Sequence, residues 1–156
     1  MVFYSKSKKE TQKIATDLAT KTKSGPLSLK LQRASIIALE GELGAGKTTF
    51  IQAFAKALGI KSKVKSPTFN IIKKYKIPNV PHSALYVPRS VYHIDCYRLK
   101  DYKEAIPLGI KDIFKEDNAV ILIEWPERIS EILPKNIIRV HIDHIDKNKR
   151  KISIKR

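Results

Sequence analysis

The chain has almost none of the features that stabilise exported proteins. Its single cysteine, Cys96, cannot form an internal disulfide, which agrees with a reducing compartment. No apolar run approaches the ~20 residues of a membrane span, and the start Met-Val-Phe-Tyr-Ser-Lys lacks the apolar core of a signal peptide. A cytoplasmic, soluble protein is expected. No Cys/His pair stands at ligand spacing, and His82, His93, His141 and His144 are scattered. His141 and His144, three apart in a strand-like stretch, point to opposite faces and read as solvated rather than zinc-binding. Internal repeats, low-complexity tracts and an RNP-type aromatic signature are also missing.

Acids are scarce as well: 15 Asp and Glu stand against 31 Lys and Arg, a net charge of +16 and a pI near 9.9. Such a field draws RNA, DNA or an acidic protein surface. Lysine greatly outnumbers arginine, however, and isoleucine is abundant. A compositional bias produces the same excess, so charge alone is weak support for a polyanionic partner. With 156 residues, the chain is expected to form one domain with a real core.

The richest stretch is Gly41-Glu42-Leu43-Gly44-Ala45-Gly46-Lys47-Thr48, which fits the phosphate-loop pattern G-x-x-x-x-G-K-[ST]. A triphosphate needs a concave surface of inward-pointing N–H groups, and glycine keeps side chains out of it. Lys47 is placed to reach the β- and γ-phosphates and the Thr48 hydroxyl to ligate Mg²⁺, while the following helix turns its positive end to the anion. The context fits. Ala34 to Glu40 is an apolar run suited to a buried parallel strand, and Thr49 to Leu58 reads as helix closed by Gly59. The expected ligand is a nucleoside triphosphate with Mg²⁺.

Before the loop, Ser7-Lys-Lys-Glu10 is a capping box opening a helix over 7–22, which carries Thr11. After it come the turn Ser66-Pro67-Thr68-Phe69 and a strand over 70–75. A hydroxyl in that turn is placed to sense the γ-phosphate as a switch segment does. Residues 76 to 90 hold three prolines and read as an exposed, mobile loop. Val91 to Ile94 is a strand ending in Asp95, and Ala119 to Ile123 a buried strand ending in Glu124. Ligands of open parallel sheets sit at the carboxyl ends of strands, so both acids are candidates for the metal and its water. Short helices are expected within 103–115, interrupted at Pro107 and Gly109, and over 127–133. Ile137 to Ile142 and Arg150 to Ile154 alternate as a C-terminal β-hairpin with a fraying end.

Four motifs occur in one order: Gly-Glu-Leu-Gly-Ala-Gly-Lys-Thr-Thr (41 to 49), Ser-Pro-Thr-Phe (66 to 69), His-Ile-Asp-Cys-Tyr-Arg-Leu (93 to 99) and Ile-Glu-Trp-Pro-Glu-Arg (123 to 128). Together they resemble the bacterial TsaE family, formerly YjeE, from about residue 7 to 142. The resemblance implies an α/β P-loop NTPase-like three-layer sandwich with a mostly parallel central sheet flanked by helices. It implies an ATPase, weak alone, that acts with the partner proteins TsaD and TsaB in forming N6-threonylcarbamoyladenosine in tRNA beside the anticodon. ATP turnover then resets the complex rather than transferring the group; tRNA is engaged indirectly, and direct contact with it is left open. By the same resemblance Gly41 to Thr49 hold the phosphates, Thr48 and Glu124 bind Mg²⁺, and Asp95 acts with Lys47 in the catalytic centre. Thr68 belongs to the switch segment, and Thr11 approaches the nucleotide. Arg98 and Trp125 match motif positions without an assigned duty, and Cys96 replaces a commoner aliphatic residue. The 76–90 loop is longer than the family's usual one.

Two other classes are compatible with a phosphate loop. A small-molecule kinase usually carries an arginine-rich lid, whereas seven arginines are spread along this chain. A basic nucleic-acid binder with a lost nucleotide site is countered by Lys47 and both acids. No Asn-Lys-x-Asp guanine-reading motif is present, which favours ATP.

Overall fold

The computed structural model describes residues 1–24, 34–67, 70–81 and 87–156. Its centre is the pair of apolar strands that the sequence marks most clearly. Strand β2 (Ser35–Glu40) lies parallel to β5 (Ala119–Glu124), with Ile36 opposite Ile121 and Leu39 opposite Glu124. Continuous burial of both runs means that both faces of the sheet are covered here, the situation in which strands lose alternation.

Around this pair the sheet has the order β1-β7-β6-β2-β5-β4-β3. Strands β4 (Ser90–Asp95) and β6 (Ile138–His144) extend the parallel centre. Strands β1 (Val2–Ser5), β3 (Ile72–Lys76) and β7 (Arg150–Lys155) add antiparallel pairs at the edges. Helices α1 (Lys8–Ser24) and α2 (Lys47–Ala57) cover one face through Ala15, Leu18, Phe50, Ile51 and Phe54. Each large apolar side chain buried there contributes about 1.5–3 kcal/mol. The one-turn helix α3 (Ile110–Ile113) and two 3₁₀ segments, Tyr102–Ala105 and Pro126–Ile132, cover the other face. The expected α/β three-layer architecture is therefore present. No helix among the described residues is long and apolar enough to cross a membrane.

The departures have local causes. Strand β1 has no counterpart in the sequence reading, because four residues carry too little periodicity to register. The C-terminal strand does not fray: β7 is flanked by β6 and β1, and the N-terminal amino group of Met1 donates to the Ile154 carbonyl at 2.7 Å. The capping box is shifted by one residue. The Glu10 amide donates to Ser7 Oγ at 3.2 Å, but the Glu10 carboxylate accepts from the Lys6 amide at 2.7 Å. The 76–90 loop is exposed at Pro78, Asn79 and Pro81 as expected, but its roots are packed, with Ile77 and Pro88 buried and the Ile77 amide donating to the Arg89 carbonyl at 2.8 Å. Pro107 and Gly109 divide the 103–115 stretch as expected, leaving a 3₁₀ turn and the single turn of α3.

Candidate functional site

The glycine loop leaves β2 at Gly41 and enters α2 at Lys47, so the helix begins inside the motif rather than after it. Gly46 caps α2 in the left-handed region, φ 110°, with no side chain over the first N–H groups. Those donors and the positive end of a helix of 11 residues face the concavity of the loop.

Parallel pairing then delivers the acids. Asp95 and Glu124 are register partners at the carboxyl ends of β4 and β5, beside the loop-bearing strand. The Thr48 hydroxyl donates towards both Glu124 oxygens, at 3.2 and 3.1 Å. Asp95 accepts from Ser66 Oγ at 2.6 Å and from the Tyr97 amide at 3.1 Å. One cleft of about 380 Å³ is lined by Gly44, Lys47, Thr48, Ser66, Asp95 and Glu124 among others. Both carboxylates are nearly out of solvent, at 7% exposure for Asp95 and 4% for Glu124, so each depends on the donors around it.

His93 supplies one of those donors. Its Nε2 lies 2.8 Å from Glu124 Oε1, and since a carboxylate accepts, the proton sits on Nε2. The imidazole is fully buried and its Nδ1 has no partner among the described residues. His93 has the same strand parity as Asp95, which is why both reach the face that carries α2. It holds the Glu124 carboxylate from behind. His93→Leu is expected to cost about 1–3 kcal/mol in urea denaturation, because it strips a donor from a buried carboxylate. A double-mutant cycle with Glu124→Leu, which removes the acceptor, checks this: the combined loss should fall short of the sum.

Lys47 is 5% exposed and folds back on its own loop, donating to the carbonyls of Gly41 at 2.7 Å and Glu42 at 2.9 Å. Its ammonium also lies 3.9 Å from the Trp125 ring centroid. Burial lowers the Lys47 pKa below the usual lysine value, opposed by the charges of Glu124, Glu127 and Asp95. Trp125 therefore packs under the loop, as a shelf for the lysine. It holds a left-handed backbone, φ 58°, where a bulky residue is uncommon, and its ring meets Tyr97 at 5.1 Å. Cys96, just past the end of β4, is fully buried in the core on the opposite face of the sheet, and burial pushes its thiol up to about 12, which keeps it protonated near neutral pH.

The other mouth of the loop is a smaller cleft of about 180 Å³ lined by Lys8, Thr11, Gly44, Thr49, Lys147 and Arg150 among others. Thr11 is buried there, its hydroxyl 2.8 Å from Ser5 Oγ. Arg150 Nε donates to the Ala45 carbonyl at 2.9 Å, tying the loop to β7.

Most of the sequence-derived residues are thus brought together. Gly41 to Thr49, Asp95 and Glu124 share one side of the sheet, with Thr11 at the second mouth; Glu42 and Leu43 are exposed and Ala45 is buried. Thr68 lies outside the described residues. Ser66, in the same turn, is the hydroxyl that reaches Asp95. Sequence reasoning missed His93 and Arg150. Strand parity with Asp95 could have found the first; the second is fixed only by pairing of β7 with β1 and β6.

Comparison with known proteins identifies relatives over most of the chain. The family model described as "Threonylcarbamoyl adenosine biosynthesis protein TsaE" matches residues 5–152. A Haemophilus influenzae protein named tRNA threonylcarbamoyladenosine biosynthesis protein TsaE is 38% identical over 120 residues, covering 77% of this chain and 70% of that protein. The Bacillus subtilis protein of the same name is 40% identical over 118 residues, covering 76% and 67%. The Aquifex aeolicus one is 34% identical over 152 residues, covering 96% and 92%. The crystal structure of Bacillus subtilis YdiB superposes with a TM-score of 0.74 at 30% identity, covering 99% of this chain and 83% of that one. With a family match over nearly its whole length and relatives of 34–40% identity, the chain belongs to the TsaE family.

Proposed function

We propose that this chain, as a single ATPase domain over residues 1–156, binds and hydrolyses ATP with Mg²⁺ in the cytoplasmic formation of N6-threonylcarbamoyladenosine in tRNA, acting with TsaD and TsaB. The observation that carries the reading is the Thr48 hydroxyl set against both oxygens of Glu124 directly below a glycine loop. A hydroxyl and a carboxylate are the hard oxygen donors that Mg²⁺ takes from protein when a nucleotide supplies the rest. When bound, Mg²⁺ would neutralise charge on the phosphate oxygens.

The protein's own part is positioning. Lys47 exchanges the carbonyls of Gly41 and Glu42 for phosphate oxygens, moving off one set of acceptors onto a stronger one. Asp95, steadied by Ser66 and Tyr97, orients the attacking water, and Thr68, two positions after Ser66 in the sequence, acts as part of the switch segment. Thr11 lies at the second mouth, suited to the nucleoside side of the ligand.

In this reading turnover is low in isolation and resets a complex whose other members perform the transfer. Phosphate release should be weak for the chain alone and rise when purified TsaD and TsaB are both added. Mass spectrometry of the tRNA should find the modified adenosine only when this chain is present. Equal modification with and without it would overturn the role.

A further inference from the structure

No acid occurs from Leu43 to Ile94, a third of the chain, where a proportional share of the 15 acids would be five. The same 52 residues carry nine lysines and arginines. A bias toward lysine raises positive charge everywhere; it does not clear acids from one segment.

The fold turns that segment into a surface. Edge strand β3 presents Lys73, Lys74 and Lys76 to solvent. The preceding stretch runs along it: Gly59 lies against Ile77 just past the end of β3, and Val64 is buried in the core cluster that holds Tyr75. Further on, Ser66 meets Asp95, whose amide donates to the Ile71 carbonyl just before β3 begins. Lys61, Lys63 and Lys65, all exposed, are therefore strung beside a strand about 16 Å long at ~3.3 Å per residue. Lys73 shares with Tyr75 the face on which residues 59–66 pack, and Lys74 and Lys76 emerge on the other side of this edge; Lys74 is paired with Glu116 at 3.3 Å, but among the described residues Lys61, Lys63, Lys65, Lys73 and Lys76 have no ion-pair partner. In α1 the lysines are interrupted by Glu10 and Asp17; the shorter acid-free run 147–156, with six lysines and arginines, is held in β7 between β6 and β1.

We infer that this lysine-lined edge is a docking surface for the phosphate backbone of structured RNA. Charged edge strands also serve to block strand-to-strand association, yet that use does not need acids cleared from the flanking stretch 61–65. RNA rather than an acidic protein fits a row of flexible, separated point charges with no exposed aromatic or apolar anchor beside it among the described residues. The choice of tRNA as the RNA rests on the proposed function; the surface does not.

Fluorescence anisotropy with an unmodified tRNA transcript, without nucleotide, tests it. Lys61→Gln, Lys63→Gln, Lys65→Gln and Lys76→Gln combined should weaken binding at physiological salt by about tenfold or more and flatten the log–log salt slope by about three, at roughly 0.7–0.9 per phosphate contact. The control Lys9→Gln, Lys13→Gln, Lys21→Gln and Lys23→Gln on α1, with the same charge change, should stay near the parent. Equal losses in both variants would reveal a diffuse field and overturn the surface. So would saturable binding of a poly-glutamate peptide with none of tRNA, or aggregation of the edge variant with unchanged RNA affinity. Calorimetry of ATP uptake, run in parallel, keeps a failure of the nucleotide site distinct from a failure of the edge.

Discussion

Glu124→Gln is expected to lower partner-stimulated ATP hydrolysis by ~10²–10³-fold, the usual loss when one metal or transition-state contact is removed. Glutamine has the same shape, and its carbonyl oxygen can still accept from His93 and from Thr48, so packing of β4 against β5 should persist. What disappears is a negative charge in a site where it is 4% exposed and poorly screened. The variant should therefore bind ATP without metal much as the parent does, while added Mg²⁺ ceases to strengthen binding. Calorimetry with and without EDTA, together with phosphate release, separates these effects. Parental turnover in the Glu124→Gln chain would remove this residue from the metal position.

That expectation rests on features readable before any coordinates. Strand β2, the glycine loop, α2, and the acids ending β4 and β5 are local signals, each carried by a handful of neighbouring residues. An apolar run that stops at a carboxylate says which end of the strand bears chemistry, because side chains of a strand emerge at fixed intervals. The contacts that tune the site were not legible. His93 reaches Glu124 diagonally across the β4–β5 ladder, a relation set by register rather than by sequence distance. Arg150 grips the loop from 105 positions away, through strands β6 and β7, which follow β3, β4 and β5 in the chain but lie on the other side of β2. Trp125 was legible as a motif position but not as the lysine's shelf, since its left-handed turn depends on how the chain leaves β5. The lysine row illustrates the same limit. Composition gave only an excess of charge; the path of residues 59–66 beside β3 makes it a surface.

The glycines divide in a way that a motif cannot show, and Gly41→Ala should be far more damaging than Gly44→Ala. Gly44 has φ +80° and a Cβ there meets nothing within 4 Å, so alanine carries only the left-handed backbone cost of about 1–2 kcal/mol. Gly41 has φ +136°, and a Cβ would stand 2.4 Å from the Ile142 carbonyl oxygen, a backbone atom of β6 that cannot step aside without moving the strand. Strain and clash together should cost about 3 kcal/mol or more. Urea denaturation of the two variants measures the difference directly. The displacement also has a functional direction. The β2–β6 ladder ends at Glu40 and His141, so pushing Gly41 off Ile142 opens the loop at its root, where Lys47 finds the Gly41 and Glu42 carbonyls. ATP affinity should fall in Gly41→Ala even under conditions where the fold survives, and in Gly44→Ala only as far as the Cβ intrudes on the phosphates. Equal stability of the two variants would mean that Gly41 serves only the ligand's approach and not the seating of the loop on β6.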